Sequence, residues 1–269
     1  MNSILEGLDK PFYLRQSGTV FAALYLADSL ELLDAFPEET VDLIFADPPY
    51  FLSNGGITCH AGSMVSVNKG EWDQSRSFEK DLEFNRAWLS KCRRILKPNG
   101  AIWVSGTYHN IFTIGHLMTS LGYKILNDVI WEKPNPPPNL SCRYLTHSTE
   151  TLLWAAKSKD SRHTFCYDIA KRENKNKQMK NVWKLNAPSG TERIWNHPTQ
   201  KPEELLGRII RLSSLESDLI LDPFVGSGTT GAAAIRYGRS FIGIDNDPNY
   251  LTNAQNRINQ IISQAKLFL

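Results

Sequence analysis

The stretch LILDPFVGSGTTGAAA, residues 219–234, carries a strand, a glycine loop and a helix start in direct succession. Apolar Leu219, Ile220 and Leu221 lead into Asp222, and the spacing Gly226-x-Gly228-x-x-Gly231 follows. Glycines in such a loop let backbone approach a ligand closely, and the helix N-terminus offers free N–H donors. A tight turn alone would also account for the loop. Working outward, PEELLGRIIRLSS (202–214) reads as a helix, SFIGID (240–245) as a strand and NYLTNAQNRINQIISQ (249–264) as a helix.

The same alternation runs through the N-terminal half. ADSLELLDAF (27–36) reads as a short helix with Leu30, Leu32, Leu33 and Phe36 on its apolar side. An apolar run ending at Ala46 reads as a buried strand. FEKDLEFNRAWLSKCRRILKPNG (78–100) is an amphipathic helix stopped by Lys97-Pro98-Asn99-Gly100. Strand AIWVSG, helix NIFTIGHLMTSLG, strand YKILNDVIWEK and strand TETLLWAAK follow. Strands alternating with helices predict an α/β fold of Rossmann-like type, a mainly parallel sheet with helices on both faces. The prolines of PNPPPNLSCR (134–143) impose an extended irregular path. Residues 52–77 show no periodicity and predict a long loop that closes over a ligand.

Length and composition set outer limits. The chain has 269 residues, enough for one large core with an insertion. No apolar run approaches the ~20 residues of a membrane helix, and MNSILEGLDKPFYL lacks the layout of a secretory leader. Cys59, Cys92, Cys142 and Cys166 are scattered, so neither a disulfide framework nor a metal site is expected, and a reducing cytoplasm fits. The net charge is +2, but residues 157–184 hold nine basic and three acidic side chains. Either a solvated face or a phosphate-binding surface accounts for that. The polar stretch 158–196 interrupts the alternation and reads as an insertion into a domain formed by 1–157 and 197–269.

The acids beside the glycine loop narrow the ligand. Asp245 closes the next strand, where a carboxylate can accept from ribose hydroxyls. Asp222 closes the strand before the loop and would repel a pyrophosphate, whereas a sulfonium or ammonium would be attracted to it. That favours S-adenosylmethionine over a dinucleotide. Phe224, Gly226, Ser227, Gly228, Thr229 and Thr230 are then expected around it. His197, Thr199 and Lys201 would line its methionine end, unless they only form the turn before a helix.

The second signal is FADPPYFLSNGG, residues 45–56. Asp47 ends a strand, as Asp222 does, so both are expected at one cleft. A methyl donor beside Asp47-Pro48-Pro49-Tyr50 suggests chemistry on a planar exocyclic amine, whose lone pair is delocalised. The Asp47 carboxylate and Pro48 carbonyl would accept from its two N–H bonds and stabilise the developing charge. Pro48 and Pro49 hold the acceptors still, and the Tyr50 ring would stack on the base. No metal is required, because a sulfonium is already an activated leaving group.

DPPY ahead of a DPFVGSGTT loop resembles the S-adenosylmethionine-dependent amino-methyltransferases of DNA. The order of the two motifs is similar to that of their beta group, a circular permutation of a seven-stranded sheet. HPTQKPEELLGRII, LADSLELL, ILKPNGAIWVSG and VIWEKPNP carry the resemblance across nearly the whole chain. It implies that Asp28 binds the cofactor's adenine, although Asp28 could simply cap a helix. It implies that 158–196 is the target-recognition region, with Lys175, Lys177 and Lys180 on DNA. Arg143, after the proline loop, would also reach DNA. DPPY implies N6 of adenine, since the cytosine-N4 enzymes usually begin that motif with Ser.

DPPYFLSNGG, PNLSCRY, THSTET and WNHPTQKPE resemble the smaller adenine methyltransferases of GATC restriction–modification systems, which also accept single-stranded DNA. The target base would be flipped out of the stack, and a homodimer is compatible with this reading. The rival readings are cytosine N4 methylation, a nicotinamide-dependent oxidoreductase, a silent DNA-binding module, and methylation of RNA or protein amines. Trp131, Trp154 and Trp183 are expected in the core, with Trp183 the one alternative base contact. The remaining histidines and the cysteines are read as structural.

Overall fold

The computed structural model describes residues 7–51, 57–60, 63–66, 77–139, 141–193 and 200–266. Its main sheet contains β1 (Tyr13–Ser17), β2 (Val20–Leu26), β3 (Val41–Ala46), β6 (Leu96–Gly106), β7 (Lys124–Glu132), β8 (Thr149–Ala156), β9 (Val182–Lys184), β10 (Leu219–Asp222) and β11 (Ser240–Asp245). Across the sheet the order is β1-β2-β11-β10-β3-β6-β8-β7-β9. The sheet therefore has nine strands, not the seven expected. The additional edges are β1, which pairs antiparallel with β2, and β9, which pairs parallel with β7. From β2 to β6 every neighbour is parallel, and β8 runs antiparallel to both β6 and β7.

Strands buried on both faces read as continuous apolar runs, and the cores on the two faces show why. One core takes Leu32 and Leu33 from α1 (Ser29–Ala35), Trp88, Leu89, Cys92 and Ile95 from α2 (Phe78–Ile95), and Ile114 and Leu117 from α3 (Ile111–Ser120). The other takes Ala170 from α4 (Tyr167–Glu173), Leu205, Leu206, Ile209 and Ile210 from α5 (Glu203–Ser213), Ala233 and Ala234 from α6 (Thr229–Arg236), and Leu251, Ala254 and Ile258 from α7 (Pro248–Lys266). Ser77 caps α2 by accepting from the Lys80 N–H, with Glu79 and Asp81 in the first turn and Arg93 and Arg94 in the last. That distribution suits the helix dipole.

Two local expectations differ from the structure. The helix before Lys97-Pro98-Asn99-Gly100 stops at Ile95, and those residues already belong to β6. There the register with β3 shifts between Val41 and Leu43, and Lys97 Nζ reaches Asp42 at 2.7 and 2.8 Å. The stretch 52–77 was expected to lack regular structure, yet β4 (Ile57–His60) and β5 (Ser63–Ser66) pair there as an antiparallel hairpin. The stretch read as an insertion contains α4 and β9 among its described residues, and its Trp183 and Leu185 are buried with Trp103 and Trp131 of the main sheet. Trp103 stacks on Trp154 at 5.1 Å between centroids and meets Trp183 at 5.8 Å, so all three predicted core tryptophans are buried.

Candidate active site

Parallel strands bring their carboxyl ends to one edge, and four acids collect there. Asp28 follows β2, Asp47 follows β3, Asp222 closes β10 and Asp245 closes β11. All four line a cavity of about 240 Å³, together with Pro49, Phe224, Ser227 and Lys201.

The glycine loop holds two of these acids by hydrogen bonds. Asp245 Oδ2 accepts from the Gly226 N–H at 2.9 Å, and Oδ1 accepts from Asp247 N–H at 3.0 Å. Asp222, 2% exposed, accepts from Thr230 Oγ1 at 2.5 Å and from Phe224 N–H at 3.0 Å. Burial pushes the Asp222 carboxyl up to about 7; its Thr230 and Phe224 donors pull it down, and the nearby Asp47 and Asp245 carboxylates add to the rise. Burial likewise raises Asp245 to about 6, against its backbone donors. Among the described residues neither carboxylate has an ion-pair partner, which makes the site suited to a bound positive charge. Phe224 packs edge-on against Trp88 at 5.6 Å, fixing the wall opposite.

Two glycines of this loop have close protein neighbours. Gly228 has φ +75°, and a Cβ there would lie 2.6 Å from Ala254 of α7. A Cβ on Gly231 would lie 2.6 Å from the Phe241 ring of β11. The close approach at these two positions is protein against protein, and it seats α6 on the sheet. Thr229 and Thr230 are similarly committed: Thr229 Oγ1 accepts from Arg257 Nη1, and Thr230 donates to Asp222. Ser227 Oγ lies 3.2 Å from Thr229 Oγ1. Asp28 caps α1 by accepting from Leu30 N–H at 2.7 Å and Glu31 N–H at 3.2 Å, while still lining the cavity.

On the Asp47 side the structure gives two of the expected site residues further partners. Lys201, expected at the methionine end of a cofactor, is 5% exposed and bonds Asp47 Oδ2 at 2.6 Å. It lies 3.4 Å from Glu150 Oε2, and Lys133 reaches Glu150 Oε1 at 2.5 Å. Burial alone would pull the Lys201 ammonium down, but Asp47 and Glu150 outweigh it and the net shift is upward. Burial would raise Glu150; Lys201 and Lys133 reverse that and hold it low. Tyr50, expected to stack on the target base, is 7% exposed. Its hydroxyl donates to Asp47 Oδ1 at 2.5 Å, lies 3.2 Å from Ser105 Oγ and 3.2 Å from Lys201 Nζ. Both oxygens of Asp47 are thus engaged. Pro48 is buried behind it.

Glu150, Lys133 and Ser105 escaped the sequence reading. The available signal was Glu150 itself, a carboxylate within the apolar strand TETLLWAA. His197 and Thr199 lie outside the described residues. Arg143, Lys175, Lys177 and Lys180 are exposed and none lines the cavity.

A Rossmann-like sheet with carboxylates gathered at a glycine loop, opening onto a rigid Asp-Pro-Pro-Tyr corner, defines a transferase that brings a cationic, nucleoside-bearing donor to a hydrogen-bonded acceptor. More particularly, the chain belongs to the DNA methylase family, whose model matches residues 41–256. It is 53% identical over 256 residues to the Type II methyltransferase M2.LlaDCHI of Lactococcus lactis subsp. cremoris, covering 94% of this chain and 93% of the relative. It is 52% identical over 254 residues to the Type II methyltransferase M2.DpnII of Streptococcus pneumoniae, covering 93% of each. Among solved structures, the M1.HpyAVI–SAM complex superposes with a TM-score of 0.68 at 29% identity, covering 88% of this chain and 99% of that one. The PvuII DNA methyltransferase (cytosine-N4-specific) shares the fold, with a TM-score of 0.73 at 22% identity over 95% of this chain and 94% of that one.

Proposed function

We propose that the protein transfers a methyl group from S-adenosylmethionine to N6 of adenine in DNA, as the modification enzyme of a restriction–modification system. The observation that carries this reading is one cavity holding Asp47 beside Asp222 and Asp245. Asp222 is the group to face the donor's positive charge, and Asp245, backed by the Gly226 and Asp247 N–H groups, is the group to accept from its ribose. Asp28 lines the same cavity where the adenine would lie. Four carboxylates there would reject a pyrophosphate, which argues against a nicotinamide cofactor. When bound, the donor supplies a methyl group already activated by the sulfonium.

The protein's own part is to extrude the adenine, grip its amine and exclude water. Asp47 and the Pro48 carbonyl accept from the amine's N–H bonds, so charge developing on nitrogen meets fixed acceptors. Lys201, held by Glu150, whose other oxygen is bound by Lys133, fixes the direction in which Asp47 points. Tyr50 must give up its bond to Asp47 to stack on the base. An Asp rather than a Ser at position 47 favours adenine over cytosine.

The relatives named above and the residues DPPYFLSNGG and WNHPTQKPE favour a GATC recognition site. Acceptance of single-stranded DNA, action as a homodimer and recognition by 158–196 through Lys175, Lys177, Lys180 and Arg143 belong to the same proposal. So does a cytoplasmic location; among the described residues no helix is long and apolar enough to cross a membrane.

Labelled S-adenosylmethionine, incubated with the protein and with duplex or single-stranded oligonucleotides with and without GATC, tests the reading. Label is expected in N6-methyladenine from GATC-bearing DNA, and Asp47→Ala is expected to abolish transfer while donor binding persists. Label in N4-methylcytosine, or in RNA or protein alone, would overturn it.

A further inference from the structure

Beside the Asp47 corner stands a group of exposed rings that the transfer reaction does not use. Tyr108 stacks on His147 with centroids 4.4 Å apart and planes 14° apart, and His109 lies 3.8 Å from Tyr108. Tyr144 meets His147 at 5.9 Å. These rings are on the surface: Tyr108 is 51% exposed, Tyr144 64%, and the adjacent Leu145 88%. Large apolar side chains left together in solvent mark a binding surface.

Tyr108 follows the carboxyl end of β6 and His147 precedes the amino end of antiparallel β8, so both lie at the sheet edge that carries Asp47. Tyr108 follows closely on Ser105, which bonds Tyr50, and Tyr50 bonds Asp47. His147 precedes Glu150, which faces Lys201, and Lys201 bonds Asp47. The Lys133 N–H donates to the Ser148 carbonyl at 2.7 Å and closes the base of the loop that carries Tyr144. Charge agrees with this placement. Segments 107–116 and 134–149 contain no Asp or Glu, and Arg143 adjoins Tyr144. A polyanion can lie here without meeting a carboxylate on either loop, with a guanidinium at hand for phosphate.

We infer that Tyr144 and Leu145, braced by the Tyr108–His147 stack, form a stacking surface for the unpaired nucleobases that flank the extruded target. The ligand class is single-stranded DNA with exposed base faces. Rings bind such bases without reading sequence, because every base has a π-face. This inference rests on the proposed transfer to a base in DNA, and it supplies a physical reason for acceptance of single strands.

The test is binding of a fluorescent single-stranded oligodeoxynucleotide containing GATC. A second probe is identical but abasic at the nucleotides flanking the target adenine. For the wild-type chain the abasic probe is expected to bind about tenfold to a hundredfold more weakly. The double variant Tyr108→Ala, Tyr144→Ala is expected to bind the intact probe that much more weakly and to lose most of the difference between probes. Tyr144→Phe keeps the ring and is expected to behave as wild type. A double variant that retains wild-type affinity, or that retains the full abasic penalty, overturns the inference. Methyl incorporation by the wild-type chain is measured alongside. Its absence would count against the proposed function, whereas the abasic comparison decides the stacking surface by itself.

Discussion

The Lys201 ammonium lies 2.6 Å from Asp47 Oδ2, a buried cation set directly on the carboxylate of the Asp-Pro-Pro-Tyr corner. Glu150 approaches the same ammonium at 3.4 Å and is itself held by Lys133 at 2.5 Å. The chain of charges ends on the one oxygen pair that must face the target amine. Lys201→Ala is therefore expected to release Asp47 from its orientation and to lower methyl transfer by about a hundredfold, the usual cost of misplacing a reacting group by about an ångström. Donor affinity is expected to change little. Single-turnover rates and donor titration separate the two quantities; a variant that lost donor binding while transferring normally at saturation would return Lys201 to the methionine end of the cofactor. Glu150→Gln leaves Lys201 and Lys133 without their shared carboxylate, and a fall in thermal midpoint is expected with it.

Asp222 and Asp245 are expected to make donor binding depend on pH. Each carboxyl lies above its ordinary value, near 7 and near 6, chiefly because it is buried. The folded, unliganded protein thus holds protons that the unfolded chain has already released. The sign follows: these two groups favour the folded state at low pH, and that contribution is lost as pH rises through 6 and 7. A bound donor favours both ionised acids, so binding is expected to expel up to about one proton between pH 6 and 7 and up to about two below pH 6, with affinity rising by at most about tenfold per unit for each group before levelling. Calorimetry in buffers of different ionisation enthalpy reads the proton directly. In Asp222→Asn the proton release is expected to shrink; an unchanged release would assign it elsewhere.

What the sequence made legible were features with a local cause. An apolar run followed by an acid is a strand meeting an open edge, so Asp47, Asp222 and Asp245 were visible one at a time. Their convergence followed from the parallel sheet. The partner of Asp47 was not visible, because Lys201 is 154 residues away and no local pattern joins them. The Gly-x-Gly spacing revealed a tight path but not what presses on it, which proved to be Ala254 and Phe241. Strand β9 has three residues, too few for an alternating pattern to appear, and its place comes from pairing with β7. The hydroxyl partners of Tyr50 were not visible, since a strand end does not tell which way an aromatic side chain turns.

Gly228 and Gly18 provide a controlled comparison. Both have positive φ, +75° and +60°, so alanine at either incurs a left-handed backbone cost of about 1–2 kcal/mol. At Gly18 nothing lies within 4 Å of the new methyl, whereas at Gly228 it would meet Ala254 at 2.6 Å. Overpacking adds about 1–3 kcal/mol. Gly228→Ala is thus expected to lower the thermal midpoint by several degrees more than Gly18→Ala, at about 2–4 °C per kcal/mol for a chain of this size. It should also weaken donor binding, since α6 and the Asp222–Thr230 bond shift together. Equal losses in the two variants would mean that α7 yields freely at Ala254.

Tyr50 provides a test of how the target base enters. Its hydroxyl and the Lys201 ammonium each bond one of the two oxygens of Asp47, so an incoming N–H either shares an oxygen through its second lone pair or displaces one of them. The phenol is the easier to move. Burial first, and then the Asp47 charge, keep it neutral by raising its pKa well above the ordinary value, whereas Lys201 is bound by ion pairs to Asp47 and Glu150. Removing the hydroxyl while keeping the ring should therefore leave base capture intact or improve it. With 2-aminopurine at the target position, Tyr50→Phe is expected to give a fluorescence rise at least equal to that of the wild type. Tyr50→Ala lacks the ring and is expected to bind the extruded base about tenfold to a hundredfold more weakly. If Tyr50→Phe proved as poor as Tyr50→Ala, the hydroxyl and not the ring would be the group the base requires, and the exchange of partners at Asp47 would have to be abandoned.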